Sequence, residues 1–241
     1  MQQRLFFCLF LLNTSSDCLP GAEKDAPVTY TQEYSIVLKG AVSGMEKVTE
    51  RISREGKVLA NSTHEILVTD GVETKRMMFT TSMSLQKGTW FPIHYSCRYS
   101  SGEARDSYEV SVRDGQVVRT LTRSGRTSET KLQLQPGFAI VDFNVYYQYD
   151  YLLQRYDLRR GGKQTFMNFL PLIAAEIPVA LTRLEDSTVR VGDKALEVRN
   201  FRIEFGSSWV GIARSDKNGR LVHLILQDKE LEVVRKDLLP E

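Results

Sequence analysis

Residues 110–119 read Val110-Ser-Val-Arg-Asp-Gly-Gln-Val-Val-Arg119. Apolar and polar residues alternate up to Asp114-Gly115, and an apolar pair follows one residue after it. Alternation places side chains on opposite faces of an extended chain. Asp-Gly is a strong two-residue hairpin signal because both central positions of the favoured turn need positive φ. Two antiparallel strands are therefore written into ten residues, and the rest of the chain repeats the idiom.

Working outward, period-two alternation predicts strands over 29–39, 45–54, 76–85, 92–99, 107–113, 116–122 and 130–134. Asp70-Gly71 supplies a second turn of the same kind. A further set follows Gly161-Gly162, with strands over 163–170, 177–184, 195–205, 209–214, 221–226 and 231–235, punctuated by Gly192-Asp193 and Asn218-Gly219. Within 195–205 the alternation changes parity at Asn200-Phe201, which predicts a β-bulge. The sets form two pseudo-equivalent halves, 28–135 and 163–236, and each has a tryptophan turn before a strand, at Trp90-Phe91 and at Trp209.

Between the halves, Val141, Val145, Tyr149, Leu152 and Tyr156 recur at steps of three and four. That spacing predicts one amphipathic helix over 140–159, stopped by Gly161. The expected architecture is mostly antiparallel β with one central helix, as a curved or unclosed barrel wrapped around it. Residues 138–156 hold seven aromatics: Phe138, Phe143, Tyr146, Tyr147, Tyr149, Tyr151 and Tyr156. Core packing is the plain explanation for most of them, since aromatics dominate core energetics. Tyr146 and Tyr147, however, point roughly 100° apart on a helix and do not share one narrow stripe. Several buried hydroxyls also need partners, which suits the mouth of a partly wet cavity.

The first 22 residues differ from the rest. Arg4 precedes the unbroken apolar run 5–12, followed by polar residues 13–17 and the small pair Gly21-Ala22. This is the order of a secretory signal peptide. Eight apolar residues fall short of the roughly 20 a spanning helix needs. The reading is a signal over 1–22 and one β-rich domain over 23–241, periplasmic or secreted, with no integral span in the mature chain. Asp17, directly before Cys18, argues against a lipid anchor there.

Composition excludes several function classes. Thirty-two basic and 30 acidic residues give a net charge of +2, without the basic stripe that marks a nucleic-acid surface. His64, His94 and His223 have no second ligand at metal-site spacing, so neither a metal nor a cofactor is expected. No Gly-x-Ser-x-Gly elbow is present, and Gly206-Ser-Ser-Trp209 is a turn before a strand. Gly161-Gly162 follows a helix, whereas phosphate loops precede one. Cys97, alone in an alternating strand, reads as a small buried hydrophobe. No catalytic residue is assigned.

The consecutive antiparallel strands, the helix closing the concave side, and the terminal strands (Val198-Arg-Asn-Phe201, Trp209-Val210 and Ala213-Arg-Ser-Asp-Lys-Asn-Gly-Arg-Leu-Val222) carry a resemblance. The chain resembles uncharacterised bacterial periplasmic families whose fold is similar to the half-barrel of the lipoprotein carriers LolA and LolB. The likeness covers residues 30–236 at the level of architecture and transfers no functional residue. It implies an unclosed barrel sheltering an acyl chain or other apolar ligand. The expected function is therefore non-enzymatic binding or carriage of an apolar or amphipathic, lipid-like ligand, lined by Trp90, Phe91, Phe143, Tyr146, Tyr147 and Trp209. The alternatives are an envelope scaffold that pairs with another protein, or a hydrolase of unrecognised type.

Overall fold

A computed structural model describes residues 27–69, 73–113, 116–191 and 194–238. The signal-peptide reading, Cys18 and the Asp70-Gly71, Asp114-Gly115 and Gly192-Asp193 turns lie outside the described residues.

In chain order the strands are β1 (Val28–Leu38), β2 (Ala41–Ile52), β3 (Lys57–Thr69), β4 (Thr74–Gln86), β5 (Phe91–Ser101), β6 (Ala104–Arg113), β7 (Gln116–Arg123) and β8 (Arg126–Leu132). Next come β9 (Ala139–Ile140), the helix α1 (Gln148–Gln154), β10 (Lys163–Leu170), β11 (Ala175–Arg183), β12 (Ser187–Val191) and β13 (Lys194–Phe205). β14 (Trp209–Ser215), β15 (Leu221–Leu226) and β16 (Leu231–Arg235) follow, with single 3-10 turns at Gln227–Lys229 and Lys236–Leu238.

They build one sheet in the order β8-β7-β6-β5-β4-β3-β2-β1-β16-β15-β14-β13-β11-β10-β9, with β12 paired to β13 off this path. The first eight strands form a meander. Chain reversal then brings β16 beside β1, pairing Tyr34 with Arg235 and Leu38 with Leu231, so the two predicted halves join edge to edge. Pairing is antiparallel throughout except for the short β9–β10 contact. The opening hairpin has the expected register, Val112 opposite Val117 and Arg113 opposite Gln116.

The sheet is unclosed but strongly curled. β6 and β10 stand eleven places apart in strand order. At about 4.8 Å per strand they would be roughly 50 Å apart if the sheet were flat. Yet Tyr108 of β6 bonds Asp142, and Asn168 of β10 bonds the backbone of Val141, the preceding residue. Arg119 of β7 likewise reaches the Pro171 and Leu172 carbonyls just beyond β10.

The segment at this crossing is not the helix the spacing predicts: α1 covers seven residues, 148–154, not twenty. Residues 141–147 send their backbone donors elsewhere. Val141 N–H donates to Asn168 Oδ1 (2.6 Å), Asp142 N–H to Gln148 Oε1 (2.6 Å), and Phe143 N–H to Asp142 Oδ1 (2.9 Å). Asn144 adopts φ 58°, which breaks any right-handed helix. At the other end Asp157 takes the Arg159 N–H at 2.9 Å and the Arg160 N–H at 3.3 Å, and Gly161 and Gly162 hold positive φ. Short polar side chains have captured backbone groups that a longer helix would use.

The bulge expected at Asn200-Phe201 is also absent, since β13 pairs with β14 in unbroken register there. Instead β13 changes partner, from β12 (Ser187 opposite Val198) to β11 (Arg183 opposite Phe201). Leu196 and Val198 pack in a small cluster with Val222 and Leu238, while Phe201, Ile203 and Phe205 enter the main core. Successive strand residues face opposite sides, so a strand buried first on one face and then on the other changes parity without a bulge.

Candidate functional site

A cavity of about 330 Å³ lies at one rim of the curled sheet. Its wall is built from strand ends that the antiparallel meander brings to the same rim. Leu38 closes β1, Ile66 and Val68 fall near the end of β3, and Met77 near the start of β4. Leu170 ends β10, Ile177 is near the start of β11, Phe205 ends β13 and Trp209 begins β14. Leu226 ends β15 and Leu231 begins β16. The floor is the crossing segment, with Val141, Asp142, Phe143, Asn144 and Tyr146, and Tyr149 of α1. Larger hollows occur on the outer sheet face, one of about 610 Å³. That one is lined mainly by Thr, Ser and Asn rows, the solvated side of a pleated sheet, so the interior rim cavity is the candidate site.

The aromatic wall is ordered by edge contacts. Phe143 meets Trp209 edge-on at 6.0 Å, Trp209 meets Phe205 at 5.8 Å, and Tyr149 meets Phe205 at 6.0 Å. Of the six residues read from the sequence as lining, the cavity gathers three: Phe143, Tyr146 and Trp209. The others lie apart from it. Trp90 stacks on Tyr151 at 5.5 Å, and Phe91 meets Phe138 edge-on at 5.3 Å. Tyr147 is 1% exposed and its hydroxyl oxygen accepts from Thr81 Oγ1 at 3.1 Å. The adjacent tyrosines thus part, Tyr146 toward the cavity and Tyr147, also expected to line it, into the core. The aliphatic strand ends were missed. Their signal was available: each is an apolar residue within three positions of its strand's end at that rim.

Buried carboxylates hold the floor in place. Glu46 of β2 accepts from the backbone N–H groups of Tyr146 (2.9 Å) and Tyr147 (3.0 Å) through one oxygen, and from Ser62 Oγ (3.2 Å) through the other. Burial pushes its carboxyl up to about 8, against the pull of those donors. His64 Nδ1 lies 3.9 Å from Glu46, beyond hydrogen-bond reach, and neither ring nitrogen has a partner. Burial pushes the imidazole down to about 3, so the pair is neutral rather than ionic. His64 stacks on Phe79 at 4.3 Å.

Asp142, which borders the cavity, accepts from the Tyr95 hydroxyl at 2.9 Å and the Tyr108 hydroxyl at 2.5 Å; its burial raises the carboxyl above the usual range. Asp150 and Glu50 share Arg220. The guanidinium donates to both Glu50 oxygens (2.6 and 2.8 Å) and to Asp150 Oδ2 (3.3 Å). Tyr151 donates to Glu50 at 2.7 Å, and Leu221 N–H to Asp150 at 2.7 Å. This ties α1 to β2 and to the turn before β15. Burial lifts Asp150 to about 6, with Arg220 pulling the other way.

Among the described residues no three His, Cys, Asp or Glu side chains converge as metal ligands. None of the described helices is long and apolar enough to cross a membrane. Cys97 is buried and free, with its thiol pushed up to about 12 by burial.

No protein-family model matches the chain, and no curated protein matches it. Among solved structures it is similar to a β-barrel-like protein of the domain of unknown function DUF1849 from Brucella abortus. That likeness has 11% identity and a TM-score of 0.58, covering 89% of this chain and 97% of the other. At that identity it shows the fold alone: a bacterial barrel-like β architecture.

Proposed function

We propose that this chain is a non-enzymatic binding or carrier protein for an apolar or amphipathic ligand held in the rim cavity. One observation carries the reading. Aromatic and aliphatic side chains from nine strands converge, with Phe143, Tyr146 and Tyr149, on a single hollow of about 330 Å³. Ligand sites take this form, concave and mostly apolar with few polar groups, and this one falls at the small end of their roughly 300–1,000 Å³ range. The curled sheet acts as a half-barrel wrapped around the crossing segment, and the kinship with the LolA and LolB carriers belongs to this proposal. So does export to the periplasm by residues 1–22.

Native mass spectrometry of the protein purified from its own envelope tests it. A co-purifying lipid-like mass that disappears on organic extraction is expected. A chain that is always empty, and that takes up no single-chain amphiphile afterwards, would refute the carrier role.

The scaffold alternative has an observation of its own. Val42, Met45, Leu67 and Met78 are exposed apolar residues clustered along one hollow on the outer face. The free edge offers that reading less, since β8 is Arg-Thr-Ser-Glu-Thr-Lys-Leu, the charged composition that discourages strand addition.

A further inference from the structure

Among the described residues, two side chains with formal charge border the cavity, Asp142 and Lys229. Their situations differ. Asp142 is buried and spoken for, taking the Tyr95 and Tyr108 hydroxyls on one oxygen and the Phe143 N–H on the other. Lys229 is exposed, in the 3-10 turn between β15 and β16. Its ammonium sits 5.2 Å from the centre of the Trp209 ring, and among the described residues it forms no ion pair. Asp228 and Glu230 flank it in sequence, but neither borders the cavity. Among the described residues, an apolar hollow therefore ends at a mouth with one cation, held over an aromatic wall residue and lacking a carboxylate partner.

We propose that the ligand is a single-chain amphiphile with an anionic head, whose chain fills the cavity and whose carboxylate or phosphate meets Lys229 at the mouth. The proposal rests on the carrier reading above and adds the chemistry of the head group. Cavity size favours one chain. Charge complementarity sets the sign of the head, because among the described residues the only other charge in the wall is a buried carboxylate already saturated with donors. Head groups presented as a carboxylate or as a phosphate share this chemistry.

Binding of dodecanoate, dodecyl phosphate, dodecyl maltoside and dodecyltrimethylammonium, each below its micelle concentration, tests it in the full chain and in Lys229→Met and Lys229→Glu. The exposed position of Lys229 lets both variants fold. Both anions are expected to bind up to about five-fold more tightly than the neutral probe, the range of an exposed ion pair. That preference should fade as salt is raised, vanish in Lys229→Met and turn toward the cation in Lys229→Glu. The stronger of the two anions identifies the source, a free fatty acid or a phosphate-headed lysolipid. Equal binding of all four probes, unchanged in the variants, overturns the head-group assignment and leaves the apolar cavity reading intact. Failure of every probe to bind overturns both.

Discussion

Glu46 is 0% exposed and carries the amides of Tyr146, on the cavity floor, and of Tyr147, beside it in the core, on one carboxylate oxygen. Its ionisation therefore bears on stability. In the fold its carboxyl titrates near 8, against 4.5 ordinarily. Between those values the folded chain holds a proton that the unfolded chain has lost. The neutral form's contribution is full below 4.5 and drains away as pH rises through 8. His64 acts in the opposite sense, with a folded value near 3 against 6.5: its contribution is present above 6.5 and is lost as pH falls. Asp150, raised to about 6 from 3.8, has finished its change by then. Between pH 6.5 and 8 Glu46 is thus the one of these three still titrating. Denaturant unfolding of the wild type is expected to show stability falling by roughly 1–2 kcal/mol across that window. Glu46→Gln, whose amide oxygen still accepts both N–H groups, should flatten the slope. A slope that persists in Glu46→Gln would show that another group is responsible.

At the scale of elements, α1 is seven residues long and is held by tertiary contacts rather than by its own propensity, since helices this short are marginal alone. Arg220 is its principal clip. Arg220→Met leaves Glu50 and Asp150 facing one another in the interior, and removing one partner of a buried pair costs about 3–5 kcal/mol. Thermal unfolding should register that loss, and amide exchange in 148–154 should accelerate more than in β3 and β4. Equal acceleration throughout would mean the clip has no local role. Elements also show what the sequence displayed and what it hid. Hairpin β6–β7 was legible because Asp-Gly and alternation agree. β3 was not, although its alternation is complete, because its inward row runs Val58, Ala60, Ser62, His64, Ile66 and two polar residues mask the apolar period. The long helix was over-read because a stripe at steps of three and four describes which residues are buried, not who takes the backbone donors. Asp142, Asn144 and Glu46 decided that, and Glu46 lies 100 residues away from Tyr146.

For the whole molecule, mostly antiparallel β with one helix was readable from periodicity, but the strand order was not. No local signal announces that β16 returns to β1, or that the sheet curls until β6 and β10 meet adjacent residues. The site inherits that limit. Phe143, Tyr146 and Trp209 were legible as surplus aromatics near a helix and a turn, and Trp90, Phe91 and Tyr147 looked the same in sequence while packing into the core. What separates them is which rim each occupies, a property of the assembled sheet.

The chain's two tryptophans make this difference measurable. Trp209 borders the cavity, whereas Trp90 stacks on Tyr151 outside it. Titration with a chain-brominated fatty acid, whose bromine quenches only indoles it touches, separates them in Trp90→Phe and Trp209→Phe. The account predicts saturable quenching in the wild type and in Trp90→Phe, and little in Trp209→Phe. Quenching of Trp90 alone, or of neither indole, would contradict it.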